Sequence, residues 1–188
     1  HPNRDDLPSR TLPFSREIYI ERDDFREEAN KKFKRLVIGK KVRLRSGYVL
    51  FAESCVKDAA GNITEVHCTY DPDTVGNDPA DGVKPKGVIH WVDSKSGKQA
   101  TVRLYDRLFN EPTPDRGEGE YLEKLNPDSL SVIENCWIEP SLANAAPEQN
   151  FQFERTGYFV ADKVEHSSET PIFNRTIGLR DSWASQQS

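Results

Sequence analysis

The chain has 188 residues, of which 30% are charged and 35% hydrophobic, and its formal net charge is −5. These values are typical of a globular protein with a polar surface, and no apolar run approaches the roughly 18 residues of a membrane span. The start, His1-Pro2-Asn3-Arg4, contains no apolar segment typical of a signal peptide. Because the chain lacks methionine and begins at His1, we expect it to be part of a longer protein.

The cysteines give no sign of a disulfide framework or a metal site. Cys55, Cys68 and Cys136 are odd in number and far apart. His67 and Cys68 are adjacent, so on a strand they would face opposite ways and could not both bind one metal ion. The sequence predicts free thiols, no metal ligands and a cytoplasmic location.

The first predicted elements are a strand, a helix and two further strands. Apolar and polar residues alternate in Glu17–Glu21, which predicts a strand. A helix is expected from Asp24, which resembles an N-cap with Glu27 as its capping-box partner, to about Phe33. The alternating Lys41–Arg45 and the apolar run Tyr48–Phe51, separated by Ser46-Gly47, predict two more strands.

Strands also dominate the rest of the chain, separated by short turn signals. A second helical turn is expected near Ser141–Ala145. Further strands are predicted at Asn62–Tyr70, Gly87–Val92, Ala100–Leu104, Ser131–Ile138, Gln152–Val160 and Ile172–Leu179. Many short strands with one or two short helices indicate an all-β fold built as small antiparallel barrels or sandwiches.

One part of the chain is strongly basic although the whole is acidic. Eight cations and no acidic residue lie between Lys31 and Arg45, and setting them aside from the net charge of −5 leaves −13 elsewhere. Such a strip can direct a polyanion to one place. On a strand, Lys41, Arg43 and Arg45 would share one face at ~7 Å spacing, close to that of successive phosphates. A solvated surface that contacts no nucleic acid stays an alternative.

A second candidate site is the segment Phe151-Gln152-Phe153-Glu154-Arg155. Alternation places the two phenylalanines on one face and Gln152 on the other. A glutamine amide can match the donor and acceptor pattern of a base edge, and an arginine can bind phosphate or stack on a base. A half-buried edge strand explains the same pattern without RNA.

No catalytic motif is present. The sequence contains no HExxH, no glycine-rich phosphate loop and no serine–histidine–aspartate signature. We therefore predict no catalytic residue in this chain.

Long motifs occur in order over nearly the whole chain. They include Asp24-Phe25-Arg26-Glu27-Glu28-Ala29-Asn30-Lys31, Lys34-Arg35-Leu36-Val37, Lys86-Gly87-Val88-Ile89-His90-Trp91-Val92, Arg103-Leu104-Tyr105-Asp106-Arg107-Leu108-Phe109 and Phe151-Gln152-Phe153-Glu154-Arg155. Together they resemble the C-terminal region of bacterial glutaminyl-tRNA synthetases, which are class I aminoacyl-tRNA synthetases. The chain departs from that pattern at Lys32, Phe33 and Ser46, where the family is expected to have Gln, Tyr and Asn.

The resemblance implies two β-barrels that bind an anticodon. It assigns 23–110 to a distal barrel and 111–188 to a proximal barrel completed by 1–22. The implied partners are the glutamine tRNA and the catalytic core of the same polypeptide, with no membrane and a monomeric state. No cofactor is implied for this segment, whereas the full enzyme uses ATP with Mg²⁺.

The resemblance also implies roles for individual residues. Arg35 would recognise the third anticodon base, a guanine, while the central uridine would lie against Gln152 and Arg155. The remaining implied contacts are Arg43 and Arg45 with the first base and phosphates, and Lys34, Pro2 and Asn3 as pocket wall. The charge pattern adds Lys41 as a phosphate contact.

Three alternatives stay open at this point. One is the anticodon-binding region of a eukaryotic or archaeal type glutamyl-tRNA synthetase, which shares the barrel arrangement. The others are a small barrel that binds ribosomal RNA and an interaction module that binds no RNA. The third-base preference separates the glutamyl enzyme, a comparison of tRNA with 5S-type RNA separates the ribosomal RNA binder, and the salt dependence of binding separates the interaction module.

Overall fold

A computed structural model describes residues 9–116 and 119–179 of the chain. Strands and short 3-10 helices make up its regular structure, so the all-β prediction is confirmed for the described residues. By their internal contacts the residues group into two units, His1–Lys95 and Ser96–Ser188. The predicted domains, 23–110 and 111–188 with 1–22, stay predictions, because contact units and family domains need not share boundaries.

The first unit is a set of short strands around a small apolar core. Its described strands are β1 (Ile18–Tyr19), β2 (Phe25–Arg26), β3 (Leu36–Val37), β4 (Lys41–Leu44), β5 (Val49–Lys57), β6 (Ile63–Asp71), β7 (Val88–Ile89) and β8 (Val92–Asp93). The main sheet has the order β6-β5-β4-β7, with β4 and β7 parallel. Val42, Leu44 and Ile89 are fully buried at its centre, as their β-branched or long apolar side chains favour.

The second unit is organised around one five-stranded sheet. Its described strands are β9 (Lys98–Tyr105), β10 (Leu130–Ile138), β11 (Asn150–Phe153), β12 (Gly157–Ala161) and β13 (Ile172–Gly178), in the order β10-β9-β13-β12-β11. β9 and β13 run parallel and the other pairs antiparallel. Phe159 and Phe173 are fully buried, and the Phe153 ring stacks 4.3 Å from that of Phe159. As paired among the described residues, the sheets are open rather than closed barrels.

The helix predicted from Asp24 to Phe33 is wrong. A 3-10 helix, Arg22–Asp24, ends at Asp24, and Phe25 then enters β2, which pairs in parallel with β3. Phe25 is 3% exposed, so its burial in the core outweighs the weak local preference for helix. The following loop is held by the Arg26 guanidinium, which lies 4.5 Å from the centre of the Phe33 ring. Lys31, Lys34 and Arg35 therefore do not share the face of a helix.

Two predicted strands are each divided in the structure. Gln152–Val160 forms the hairpin β11–β12, whose register pairs Phe153 with Gly157. Gly87–Val92 forms β7 and β8. The helical turn expected near Ser141–Ala145 is confirmed as the 3-10 helix Pro140–Asn144.

Candidate nucleic-acid interface

Arg35 is oriented by a buried carboxylate. Its Nε donates a hydrogen bond to Asp24 Oδ1 at 3.0 Å, and one terminal nitrogen donates to the Lys34 carbonyl at 3.0 Å. Asp24 is 1% exposed, whereas the Arg35 side chain is 33% exposed. A buried carboxylate requires a partner, since an unpaired charge removed from water is costly. Arg35 therefore neutralises Asp24 with one edge and presents the rest of its guanidinium toward the surface.

Gly87 packs directly on the peptide that joins Lys34 to Arg35. A Cβ placed on Gly87 would lie 1.8 Å from the Lys34 carbonyl oxygen. No side chain fits there, so glycine is required for this backbone approach. The Gly87 carbonyl also accepts a hydrogen bond from Arg43 N at 3.0 Å. Gly87 thus joins the Arg35 segment to β4.

Lys41 and Arg43 lie on the less buried face of β4, as alternation predicts, with Val42 and Leu44 on the buried face. Both terminal nitrogens of Arg43 donate to backbone carbonyls, those of Thr74 and Asn77, at 2.6 Å each. Arg43 therefore secures the loop that follows β6. Lys41 Nζ lies 2.5 Å from Asp81, whose side chain is 56% exposed, and such an exposed pair contributes little to stability.

Arg45 belongs to a turn rather than to the strand. β4 ends at Leu44, so the predicted three-cation row stops after Arg43. The turn is fixed by Gly47 N, which donates to the Leu44 carbonyl at 2.9 Å. Arg45 N donates to the Ile89 carbonyl and the Arg45 carbonyl accepts from Trp91 Nε1, both at 2.9 Å. The backbone of Arg45 is thus held on both sides while its side chain is exposed.

A surface pocket of about 580 Å³ lies beside this turn. Its wall consists of the side of β4, the turn after it and the loop after β6. The lining residues are Arg43, Ser46, Gly47, Val75, Gly76, Asn77 and Asp78. Lys84 hydrogen-bonds the Asp78 carboxyl and, with the Arg43 charge, lowers its pKa, so a carboxylate stands at the rim.

Gln152 and Arg155 lie together on the β11–β12 hairpin of the second unit. Gln152 is exposed, whereas Phe151 and Phe153 pack toward Phe173 at ring distances of 5.9 and 5.4 Å. The predicted alternation is confirmed. Arg155 occupies the turn with φ of +72°, a left-handed conformation unusual for arginine. The hairpin therefore places an amide and a guanidinium at one edge of the five-stranded sheet.

The structure brings the predicted residues together as two groups, one in each unit. Lys34, Arg35, Lys41, Arg43 and Arg45 form the first group, while Gln152 and Arg155 form the second. The predicted residues Pro2 and Asn3 lie outside the described residues.

Sequence reasoning missed three positioning features: Asp24, Gly87 and Trp91. The predicted strand Gly87–Val92 contains a glycine, and a glycine in a strand pattern suggests close backbone approach, so Gly87 could have been found. The Asp24–Arg35 ion pair had no such sign in the sequence, because the position of Asp24 was already explained by its interpretation as a helix N-cap.

The described residues offer neither a metal centre nor an activated thiol. In 9–116 and 119–179, no three His, Cys, Asp or Glu side chains are grouped so as to hold a metal ion. Burial, assisted by the charge of Glu53, raises the pKa of the Cys68 thiol to about 11, so it is protonated near neutral pH. In the same part of the chain no helix has the length and apolar character needed to cross a membrane.

Comparison with known proteins identifies the family. Two family models, both described as tRNA synthetases class I (E and Q), anti-codon binding domain, match residues 1–71 and 88–162. The chain is 57% identical to a glutamine–tRNA ligase of Vibrio parahaemolyticus and 57% identical to one of Serratia proteamaculans, in each case over 98% of its length. It is 54% identical to one of Yersinia enterocolitica over 99%.

The chain spans about a third of the length of these relatives, 33% in each case. The matches nevertheless cover both contact units and include Lys34, Arg35, Gln152 and Arg155. The chain belongs to the anticodon-binding domain family of the class I tRNA synthetases for glutamate and glutamine.

Proposed function

We propose that this chain is the anticodon-binding part of a glutamine–tRNA ligase and that it recognises the three anticodon bases of glutamine tRNA. The observation that carries the proposal is the partly exposed Arg35 side chain, oriented by the buried Asp24, inside a chain of this family. An arginine fork bonds the O6 and N7 acceptors of guanine, the third base of a glutamine anticodon.

Discrimination follows from unsatisfied hydrogen bonds. Separating three bases from their stack costs a few kcal/mol, which contacts to charged groups offset. A wrong base in a fitted site leaves a buried polar group without a partner, at a cost of ~1–3 kcal/mol. A pre-oriented Arg35 increases this penalty because it cannot turn freely to find another partner.

The other predicted residues divide the remaining work. Gln152 and Arg155 contact the central uridine, the former through its amide and the latter through its guanidinium. Arg45, whose side chain is exposed, contacts the first base and nearby phosphates. Arg43 supports this site by holding the Thr74–Asp78 loop, and Lys41 and Lys34 contact phosphate or the pocket wall, with Pro2 and Asn3 beside them.

The same proposal extends to the longer protein. Glutamine, ATP and Mg²⁺ would bind to a catalytic core outside this chain, within a monomeric cytoplasmic enzyme. The role proposed for this chain involves no cofactor. The contribution of this chain is to bind the correct tRNA.

Binding of single-base tRNA variants tests the proposal. We expect replacement of the third anticodon guanine by cytosine to weaken binding roughly 10- to 100-fold, and Arg35→Ala to abolish that preference. Lys41→Ala is the matched control, because the loss of a phosphate contact weakens binding to all sequences alike. A preference for cytosine would indicate a glutamate-specific relative instead, and equal binding of all variants would overturn the proposal.

A further inference from the structure

Three segments of the first unit meet at Arg35: Asp24 and the Lys34 carbonyl contact its guanidinium, and Gly87 packs on its backbone. Asp24 ends a 3-10 helix, Lys34 precedes Arg35 in the chain, and Gly87 lies just before β7. We propose that Asp24 and Gly87 are positioning residues which, by fixing Arg35, set the specificity for the third anticodon base. This inference rests on the proposed function, since it deepens the role of Arg35.

The Asp24 contact orients Arg35 without saturating it. A guanidinium has five N–H donors. Among the described residues, Asp24 and the Lys34 carbonyl accept from two of its nitrogens, Nε and one terminal nitrogen. Three N–H donors, all on the terminal nitrogens, then remain, and two of them are enough for the O6 and N7 of guanine. The pairing with Asp24 thus selects which edge of the guanidinium is presented.

Burial makes this orientation strict. Asp24 is 1% exposed, so its carboxylate has no access to bulk water as an alternative partner. If Arg35 rotated away, the carboxylate would lose a charge-assisted hydrogen bond in a buried place. The ion pair therefore restricts Arg35 much more than an exposed pair such as Lys41–Asp81 restricts Lys41.

Gly87 fixes the same residue through the backbone. A Cβ at this position would lie 1.8 Å from the Lys34 carbonyl oxygen and 2.7 Å from its carbon. The backbone of Gly87 cannot easily move away from Lys34, because the Gly87 carbonyl accepts a hydrogen bond from Arg43 N next to the β4–β7 pairing. A side chain at 87 would therefore displace the peptide between Lys34 and Arg35, and with it the carbonyl that Arg35 contacts.

A purely structural ion pair would produce a different outcome from a positioning pair. Both predict some loss of stability when Asp24 is changed. Only the positioning role predicts a loss of base preference, and only while Arg35 is present. The ratio of the dissociation constants for third-base cytosine and guanine tRNAs therefore separates the two.

The test measures that ratio for the chain and its variants by fluorescence anisotropy with labelled tRNA. Asp24→Asn keeps the shape and an acceptor oxygen but removes the charge, and we expect the ratio to fall about tenfold. The loss should come from weaker binding of the guanine tRNA. Added to Arg35→Ala, the change should have no further effect on the ratio. Asp81→Asn, which removes an exposed carboxylate, is the matched control and should leave the ratio unchanged.

Gly87→Ala provides a second approach that leaves Asp24 intact, and it should lower the ratio by a similar factor. Circular dichroism establishes that each variant is folded. If Asp24→Asn does not fold, the ratio measured for Gly87→Ala tests the positioning role. If neither folds, Asp24→Glu decides it: the variant keeps the charge but moves the carboxylate away from the position that bonds Arg35 Nε, so the positioning role predicts a lower ratio, and no further fall when it is combined with Arg35→Ala.

The outcomes separate the two proposals. If Arg35→Ala lowers the ratio but folded Asp24→Asn and Gly87→Ala both keep it, the positioning role is overturned and the proposed function stands. An equal fall of the ratio in the presence and absence of Arg35 also overturns the positioning role. If Arg35→Ala itself keeps the wild-type ratio, the proposed function fails.

Discussion

At the scale of single residues, Asp162 shows how a carboxylate organises a loop. Its oxygens accept from the backbone nitrogens of Glu165 and Val164 at 2.9 Å and from Asn174 Nδ2 at 2.6 Å, and Arg103 lies 3.3 Å away. These contacts, the Glu165 hydrogen bond first, lower the pKa of Asp162 to about 2. The loop after β12 is therefore fastened by an ionised group.

The lowered pKa predicts how stability depends on pH. Since the folded state favours ionised Asp162, the stabilisation is complete above the ordinary pKa of about 4 and is lost as pH falls toward 2. We expect Asp162→Asn to lower the free energy of unfolding by about 1–2 kcal/mol at pH 7, a value reduced by solvent screening. Urea unfolding between pH 7 and pH 3 measures the difference, which should shrink below pH 4.

Asp115→Asn, at an exposed position in the loop after β9, controls for the loss of one negative charge. Its stability should follow that of the unchanged chain at every pH. A constant difference between Asp162→Asn and the unchanged chain down to pH 3 would contradict the role given to Asp162.

At the scale of elements, the β11–β12 hairpin contains a strained residue at its predicted RNA contact. Arg155 has φ of +72°, and a left-handed conformation costs about 1–2 kcal/mol for a residue with a Cβ. Thr156 N donates to the Phe153 carbonyl at 2.9 Å and closes the turn. Glycine would adopt this backbone conformation without strain, yet the position holds an arginine whose side chain is exposed.

Two substitutions separate the strain from the function. Both Arg155→Ala and Arg155→Gly remove the side chain, so we expect similar losses of tRNA affinity, about fivefold or more. Only glycine relieves the backbone, and we expect Arg155→Gly to be more stable than Arg155→Ala by about 1 kcal/mol. Thermal unfolding and tRNA binding measure the two effects. Equal stability of the two variants would show that the turn is not strained.

The elements also show which parts of the fold a sequence can predict. Strands β4, β5, β6, β9, β10 and β13 coincide with alternating or apolar runs, because burial of one face requires that pattern. The turn at Glu154–Thr156 was missed because it contains no glycine, proline or asparagine, and Arg155 takes the position that such residues usually occupy. The helix at Asp24 was wrongly predicted because a capping-box pattern does not reveal that Phe25 is needed in the core.

The candidate site was predictable to a similar extent. Charge pattern and family resemblance indicated Arg35, Lys41, Arg43, Gln152 and Arg155 as candidates. Their partners were not predictable, because folding alone brings Asp24 into contact with Arg35 and the Thr74 carbonyl into contact with Arg43. Pattern thus indicates which groups contact a ligand, whereas the fold determines which of them are already engaged.

At the scale of the whole molecule, positive charge is concentrated in one segment of an otherwise acidic chain. The net charge is −5, yet Lys31–Arg45 contains only cations among its charged residues. Of these, Arg43 is engaged with backbone carbonyls and Lys41 with Asp81. Under the proposed function, the remaining attraction for phosphates comes from the exposed members, Lys31, Lys32, Lys34, Lys40 and Arg45.

This distribution predicts a steep but limited salt dependence. If about three to five of these cations neutralise phosphates of a single-stranded anticodon loop, raising salt from 50 to 200 mM should weaken tRNA binding roughly 20- to 100-fold. Lys40→Ala should reduce the slope of log affinity against log salt by about 0.7. Lys163→Ala removes a cation that is 72% exposed in the second unit, outside the strip, and should leave the slope unchanged. A slope that responds equally to both substitutions would mean that net charge, and not the strip, attracts the RNA.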